Sequence, residues 1–292
     1  MKAAFLPDRG VVKVSGEDAR KFLDGLVTTN VDVLRPGLGR FGALLTPQGK
    51  IIVDFLVTEA SEAQGGGFVL DVPLVLAQAL ADKLKFYKLR AKVTVENLSA
   101  QLGVLAVWDG APSVKPDLAF ADPRDPQLGW RMFVPDDLAA DTAAAIGADL
   151  GDSEAYEAHR IACGAPRGGA DFLYGDAFPH EANMDRLHGI DFDKGCYVGQ
   201  EVVSRMQHRG TARTRIVRVT FGAAAPETGL PVTADGKPVG TMGSSANGAG
   251  LALLRIDRVA DALDAGHALS AGGLPVSLVS VDDVVPPKKA TA

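Results

Sequence analysis

Apolar residues recur at helical spacing at Phe22, Leu23, Leu26 and Val27, behind a capping-box-like Ser15 and Asp18, and predict a helix over residues 17–28. The polar Thr28-Thr29-Asn30 stretch marks its exit. Phe41 to Leu45 and Lys50 to Thr58 are apolar runs divided by Thr46-Pro47-Gln48-Gly49, with proline second and glycine fourth in the turn, which predicts a β-hairpin. Phe68 to Asp71 reads as a strand, and Leu76, Leu80 and Leu84 at four-residue spacing predict a helix that Pro73 opens. Strands are expected near 91–96, 102–108 and 129–134, followed by a helical segment from Asp136 to Ile146. A helix starting at Asp152 or Ser153 carries Tyr156, His159, Arg160 and Cys163 to Gly164, with Pro166 beyond as a stop signal. Short alternating strands at 216–221, 237–242, 251–256 and 276–281, split by Gly-rich turns, then predict a small barrel or sandwich. The order is α+β, without a Gly-rich nucleotide loop.

Composition adds bounds to this picture. The 292 residues suffice for two or three compact units, and 47% hydrophobic with 23% charged residues is ordinary soluble usage. No run of about 18 apolar residues is present and the first residues lack a signal peptide's apolar stretch, so a cytoplasmic protein without a membrane partner is expected. The formal charge of −6 argues against direct bulk nucleic-acid binding. Yet Arg205 to Arg218 holds five arginines, one histidine and no acid: a solvated face, the rim of an anion pocket or a docking surface for an acidic partner. The five histidines show no paired ligand spacing, and the two cysteines, Cys163 and Cys196, are expected as free thiols, so no structural metal is expected.

The chemistry concentrates at Lys194-Gly195-Cys196-Tyr197-Val198-Gly199-Gln200-Glu201. A thiolate is the reactive form of cysteine, and a neighbouring lysine cation favours it, whereas an apolar setting keeps a thiol inert. Cys196 is therefore either a poised nucleophile or a small residue beside a tight turn. Lys194 supplies the cation, and Gly195 and Gly199 the backbone freedom. Tyr197 reads as a packing anchor. Gln200 and Glu201 either orient the loop by hydrogen bonds, or Glu201 pairs with Arg205 at four-residue helical spacing.

This octet resembles the signature of the YgfZ family, iron–sulfur maturation factors built on the fold of the glycine-cleavage T protein. The resemblance extends through Arg160-Ile161-Ala162-Cys163-Gly164-Ala165-Pro166, Pro179-His180-Glu181-Ala182-Asn183-Met184 and Val202-Val203-Ser204-Arg205. It reaches the N-terminus at Phe22 to Val31 and Gly42 to Lys50. It implies a three-domain fold around a central channel. Residues 1–46 with 150–212 would form a discontinuous folate-binding-like domain carrying the octet, 47–149 an α+β middle domain, 213–284 a β-barrel and 285–292 a disordered tail. Thr28, Asn30, Glu181 and Asn183 are implied to face a ligand pocket, although each also reads as an ordinary polar loop residue.

The function implied is assembly or maintenance of [4Fe–4S] proteins, with effects on tRNA modification, alongside iron–sulfur assembly proteins and client enzymes. Cys196 would act as the reactive thiol, whether as a transient cluster ligand, by exchange with a partner's disulfide or by trapping a one-carbon unit; two cysteines cannot hold a conventional four-thiolate cluster alone. The alternative is a folate-dependent aminomethyltransferase. Against it, Val53 stands where the T protein has its catalytic aspartate, leaving Asp54, and Ala162 stands where a glutamate meets the pterin. Losing that acceptor weakens tetrahydrofolate binding roughly ten- to a hundredfold.

Overall fold

A computed structural model describes residues 1–210, 212–222 and 224–284. The expected tail at 285–292 lies outside the described residues. The chain forms two compact units, one of residues 1–46, 52–156 and 187–198, the other of 47–51, 157–186 and the chain from 199 onward.

The first unit holds two five-stranded sheets. In one, the order across the sheet is Gly39–Leu45, Ile51–Glu59, Phe68–Pro73, Arg9–Ser15 and Thr94–Asn97. The first two are the expected hairpin strands. In the other, Asp149–Gly151 lies parallel to Lys2–Phe5, which pairs antiparallel with Gly103–Trp108, followed by Trp130–Val134 and Ala119–Ala121. The Leu74–Tyr87 helix buries Ala77, Leu80, Ala81 and Leu84 against Val12, Val14 and Leu70. Each buried leucine or valine contributes about 1.5–3 kcal/mol on leaving water, each alanine methyl about 0.8. Pro73 is its N-cap, as its fixed φ allows.

Local expectation fails at the first helix. It spans only Ala19–Asp24, because Ser15 ends a strand and the Asp18 carboxylate accepts the Lys92 backbone N–H at 2.7 Å instead of capping. A buried ion network occupies the same unit. Arg9 pairs with Asp71, and Arg131 lies 3.9 Å from Asp71 and 3.4 Å from Asp122 while donating to the Tyr156 hydroxyl at 2.6 Å. Arg124 completes it with a 2.7 Å bond to Asp122. Burial alone would raise the Asp122 carboxyl, but Arg124 and Arg131 hold it below the usual carboxylate range.

The second unit is built on a closed six-stranded barrel of Thr214–Phe221, Ala249–Arg255, Lys237–Ala246, Pro231–Ala234, Leu269–Ala271 and Leu274–Leu278. Val217, Val219, Val232, Met242 and Leu254 fill it. Ile256, expected as a strand end, opens the helix Ile256–Asp264. In the same unit Arg160 bonds Asp171 at 2.6 Å and Ser244 at 2.7 Å, and also pairs with Glu157. Gly49, at φ 80°, takes a left-handed turn that favours glycine, and a β-carbon there would crowd the Val202 side chain at 3.0 Å.

Candidate functional site

The octet divides at Val198/Gly199 between the two units. On its first side the chain runs in irregular conformation from Asp191 to Tyr197. Asp191 opens this loop as an Asx turn, its carboxylate accepting from the backbone N–H groups of Asp193 and Lys194, each at 3.0 Å.

Lys194 then turns inward. Its Nζ donates to the carbonyls of Asp24, Val27 and Thr29 at 2.7, 2.9 and 2.7 Å, and sits 3.1 Å from the Asp24 carboxylate. Burial draws the ammonium below the usual lysine range, opposed by its hydrogen bond to Asp24. Where the expectation gave Lys194 an electrostatic part beside Cys196, its ammonium is met by Asp24 and by carbonyls at a helix exit, where a cation is favoured. The lysine is a brace. It ties the octet to residues 24–29.

Cys196, by contrast, is exposed. Gly195 does not need to be glycine, since its φ is not positive and a β-carbon there would meet nothing within 4 Å. Tyr197 is buried, and burial with the nearby Asp191 pushes its hydroxyl up to about 12. The thiol thus stands between an inward lysine and an inward tyrosine.

On the other side, Gly199 has φ 83° at the N-cap of the Gln200–Arg209 helix, a left-handed residue that glycine adopts without strain. Gln200 is the first helical residue. Glu201 accepts from Arg205 at 2.8 Å, an exposed i,i+4 pair. The arginine run is not one surface, because Arg215 is buried on Asp185 at 2.8 Å. Burial, outweighed by Arg215, leaves the Asp185 carboxyl below its usual range.

The four expected pocket residues have local partners. Thr28 is fully buried, donating to the Gly189 carbonyl at 2.6 Å and accepting from Ala43 N–H at 2.9 Å. The Asn30 amide oxygen accepts from Asp32 N–H at 3.0 Å. Glu181 accepts from Phe178 N–H at 2.8 Å, and burial raises its carboxyl above the usual range. Asn183, in the left-handed region at φ 56°, donates to the Ile216 carbonyl at 2.6 Å. Ala162 is exposed and Val53 is buried. The polar side chains of Thr28, Asn30, Glu181 and Asn183 each bond the backbone, and Ala162 offers no side-chain acceptor.

Sequence reading missed Asp24 and Asp191, which hold Lys194. For Asp191 the three-residue offset to Lys194 was an available signal; for Asp24, 170 residues away, there was none.

Comparison with known proteins agrees with this architecture. Residues 8–113 match the GCVT N-terminal domain and residues 213–284 the CAF17 C-terminal beta-barrel domain. The aminomethyltransferase T of the glycine cleavage system from Bartonella henselae superimposes with a TM-score of 0.72 over 98% of this chain and 86% of its own. At 16% identity that likeness shows the fold: a T-protein-like mixture of helix and sheet ending in a six-stranded barrel.

Among curated relatives, the mitochondrial iron–sulfur cluster assembly factor IBA57 homolog of Mycosarcoma maydis is 37% identical over 232 residues, 75% of this chain and 57% of that protein. The mouse mitochondrial IBA57 is 32% identical over 281 residues, 87% of this chain and 77% of its own. These names overturn the expected cytoplasmic location, since the relatives are mitochondrial proteins. The reasoning failed because the lack of an apolar leader does not bear on mitochondrial addressing, whose signals are amphipathic. Human mitochondrial IBA57 is 31% identical over 300 residues, 94% of this chain and 82% of its own, and the chain accordingly belongs to the IBA57 family of iron–sulfur cluster assembly factors.

Proposed function

We propose that this chain assists the assembly or maintenance of [4Fe–4S] proteins, with the Cys196 thiolate as a transient ligand to a cluster held jointly with a partner. The observation that carries this reading is the exposed Cys196 on a loop whose neighbours are fixed, Lys194 by three carbonyls and Asp24, Tyr197 by burial. A fixed approach lowers the entropy lost when a thiol meets a partner-bound iron. Two cysteines are too few for a conventional four-thiolate cluster, which suits shared ligation rather than storage. The cluster is cargo, and the partners are iron–sulfur assembly proteins and client enzymes.

Weak tetrahydrofolate binding belongs to the same proposal, without a role in the thiol step. Calorimetry on the native protein and on Ala162→Glu reads it, with tighter binding expected in the variant. No observation favours aminomethyl transfer. Deleting the protein is expected to lower aconitase-type and tRNA-thiolating [4Fe–4S] activities while one-carbon flux from glycine persists; normal activities in the deletion strain under aerobic growth contradict the proposal.

A further inference from the structure

The three most exposed large apolar side chains of the described residues lie on one helix and its exit: Val75, Leu89 and Phe86, exposed by 88, 85 and 76%. Phe86 and Leu89 stand together at the end of the Leu74–Tyr87 helix, and the Tyr87 ring lies 6.0 Å from that of Phe86. Cations surround this end. Lys83, Lys85, Lys88, Arg90 and Lys92 fall within ten residues of an otherwise acidic chain. Lys83 lies over the Tyr87 ring in the last turn, and Lys88 donates forward to the Val93 carbonyl. Asp82 approaches Lys85 at 3.9 Å and Glu17 pairs with Lys92, which confines the excess positive charge to the tip around Phe86 and Arg90.

Leu89 adds an independent observation. It follows the C-cap residue Lys88 with φ 45°, in the left-handed region where glycine is usual and a bulky side chain is strained. A leucine that is both strained there and mostly in water gains nothing for the fold. Strain kept at such a position is a reason to look for a function.

We propose that this helix end docks peripherally on an anionic lipid surface, Phe86 and Leu89 entering the headgroup boundary while the surrounding lysines and Arg90 meet lipid phosphates. Aromatic and leucine side chains ringed by flexible cations match the chemistry of that boundary, where cation stems lie along the apolar layer and their heads stay wet. Absence of spanning runs, from which no membrane partner was expected, does not bear on a contact of this kind. The proposal does not depend on Cys196 chemistry.

The test is co-sedimentation of the full chain with vesicles of equal parts phosphatidylcholine and phosphatidylglycerol, and with phosphatidylcholine vesicles alone. Binding is expected only to the anionic vesicles and should fall with added salt. Phe86→Ala with Leu89→Ala, and separately Lys85→Glu with Arg90→Glu, should each lower the partition coefficient about tenfold or more. Leu89→Gly separates function from folding: it should raise the melting temperature by relieving the left-handed strain, yet weaken vesicle binding. No binding to anionic vesicles, equal binding to neutral ones, or unchanged binding by the double variants overturns the proposal; the first result would point to an acidic protein surface instead.

Discussion

The two cysteines occupy opposite kinds of site. Cys196 lies exposed on an irregular loop of the first unit, whereas Cys163, in the second, follows the Ser153–Ala162 helix half-buried, with its sulfur 3.7 Å from His159 Nε2. Sequence proximity carries different weight in the two. Lys194, two residues from Cys196, gives its hydrogen bonds to residues 24–29, while His159, four residues before Cys163, is brought to sulfur by the helical repeat. Spacing predicts contact only where the backbone is regular.

Lys194→Met sharpens the comparison most. If the lysine is a brace, its loss leaves Asp24 and three carbonyls without their donor, costing about 3 kcal/mol and lowering the melting temperature by roughly 6–12 °C. Alkylation of Cys196 in the still-folded protein should change little. A large drop in alkylation rate at unchanged melting temperature would instead restore the electrostatic reading.

What was legible follows the same division. The Leu74–Tyr87 helix and the 41–58 hairpin could be read because periodicity and a Pro-x-Gly turn are local signals. Lys2–Phe5 could not, because a four-residue strand is defined only by Gly103–Trp108 and Asp149–Gly151, far along the chain. Chemistry behaves alike. The octet shows which residue types are present, but Lys194's direction is set by carbonyls 165 to 170 residues away.

An acid titration contrasts the buried networks with the octet loop. The Asp122 and Asp185 carboxyls lie below their usual range when folded, so their stabilisation is complete above the unfolded carboxylate pKa of about 4 and is lost as pH falls through the lower folded values. Unfolding monitored by circular dichroism below about pH 4 should therefore become easier, and Asp122→Asn should flatten that dependence. A stability profile unaffected by the substitution would show that Asp122 does not govern it.

Glu201→Ala carries the smallest expected effect. Its exposed pair with Arg205 is worth about 0.3–0.5 kcal/mol, so thermal denaturation should scarcely shift. A loss above about 1 kcal/mol would reveal a role for Glu201 in holding the loop.

The central claim rests on Cys196, and complementation tests it most directly. Cys196→Ser and Cys163→Ser are each expressed in a deletion strain, and [4Fe–4S] enzyme activity is measured with folding checked by circular dichroism. Cys196→Ser should fold and fail to restore activity, while Cys163→Ser restores it. Full rescue by Cys196→Ser would contradict the account and leave the exposed thiol without a part in cluster assembly.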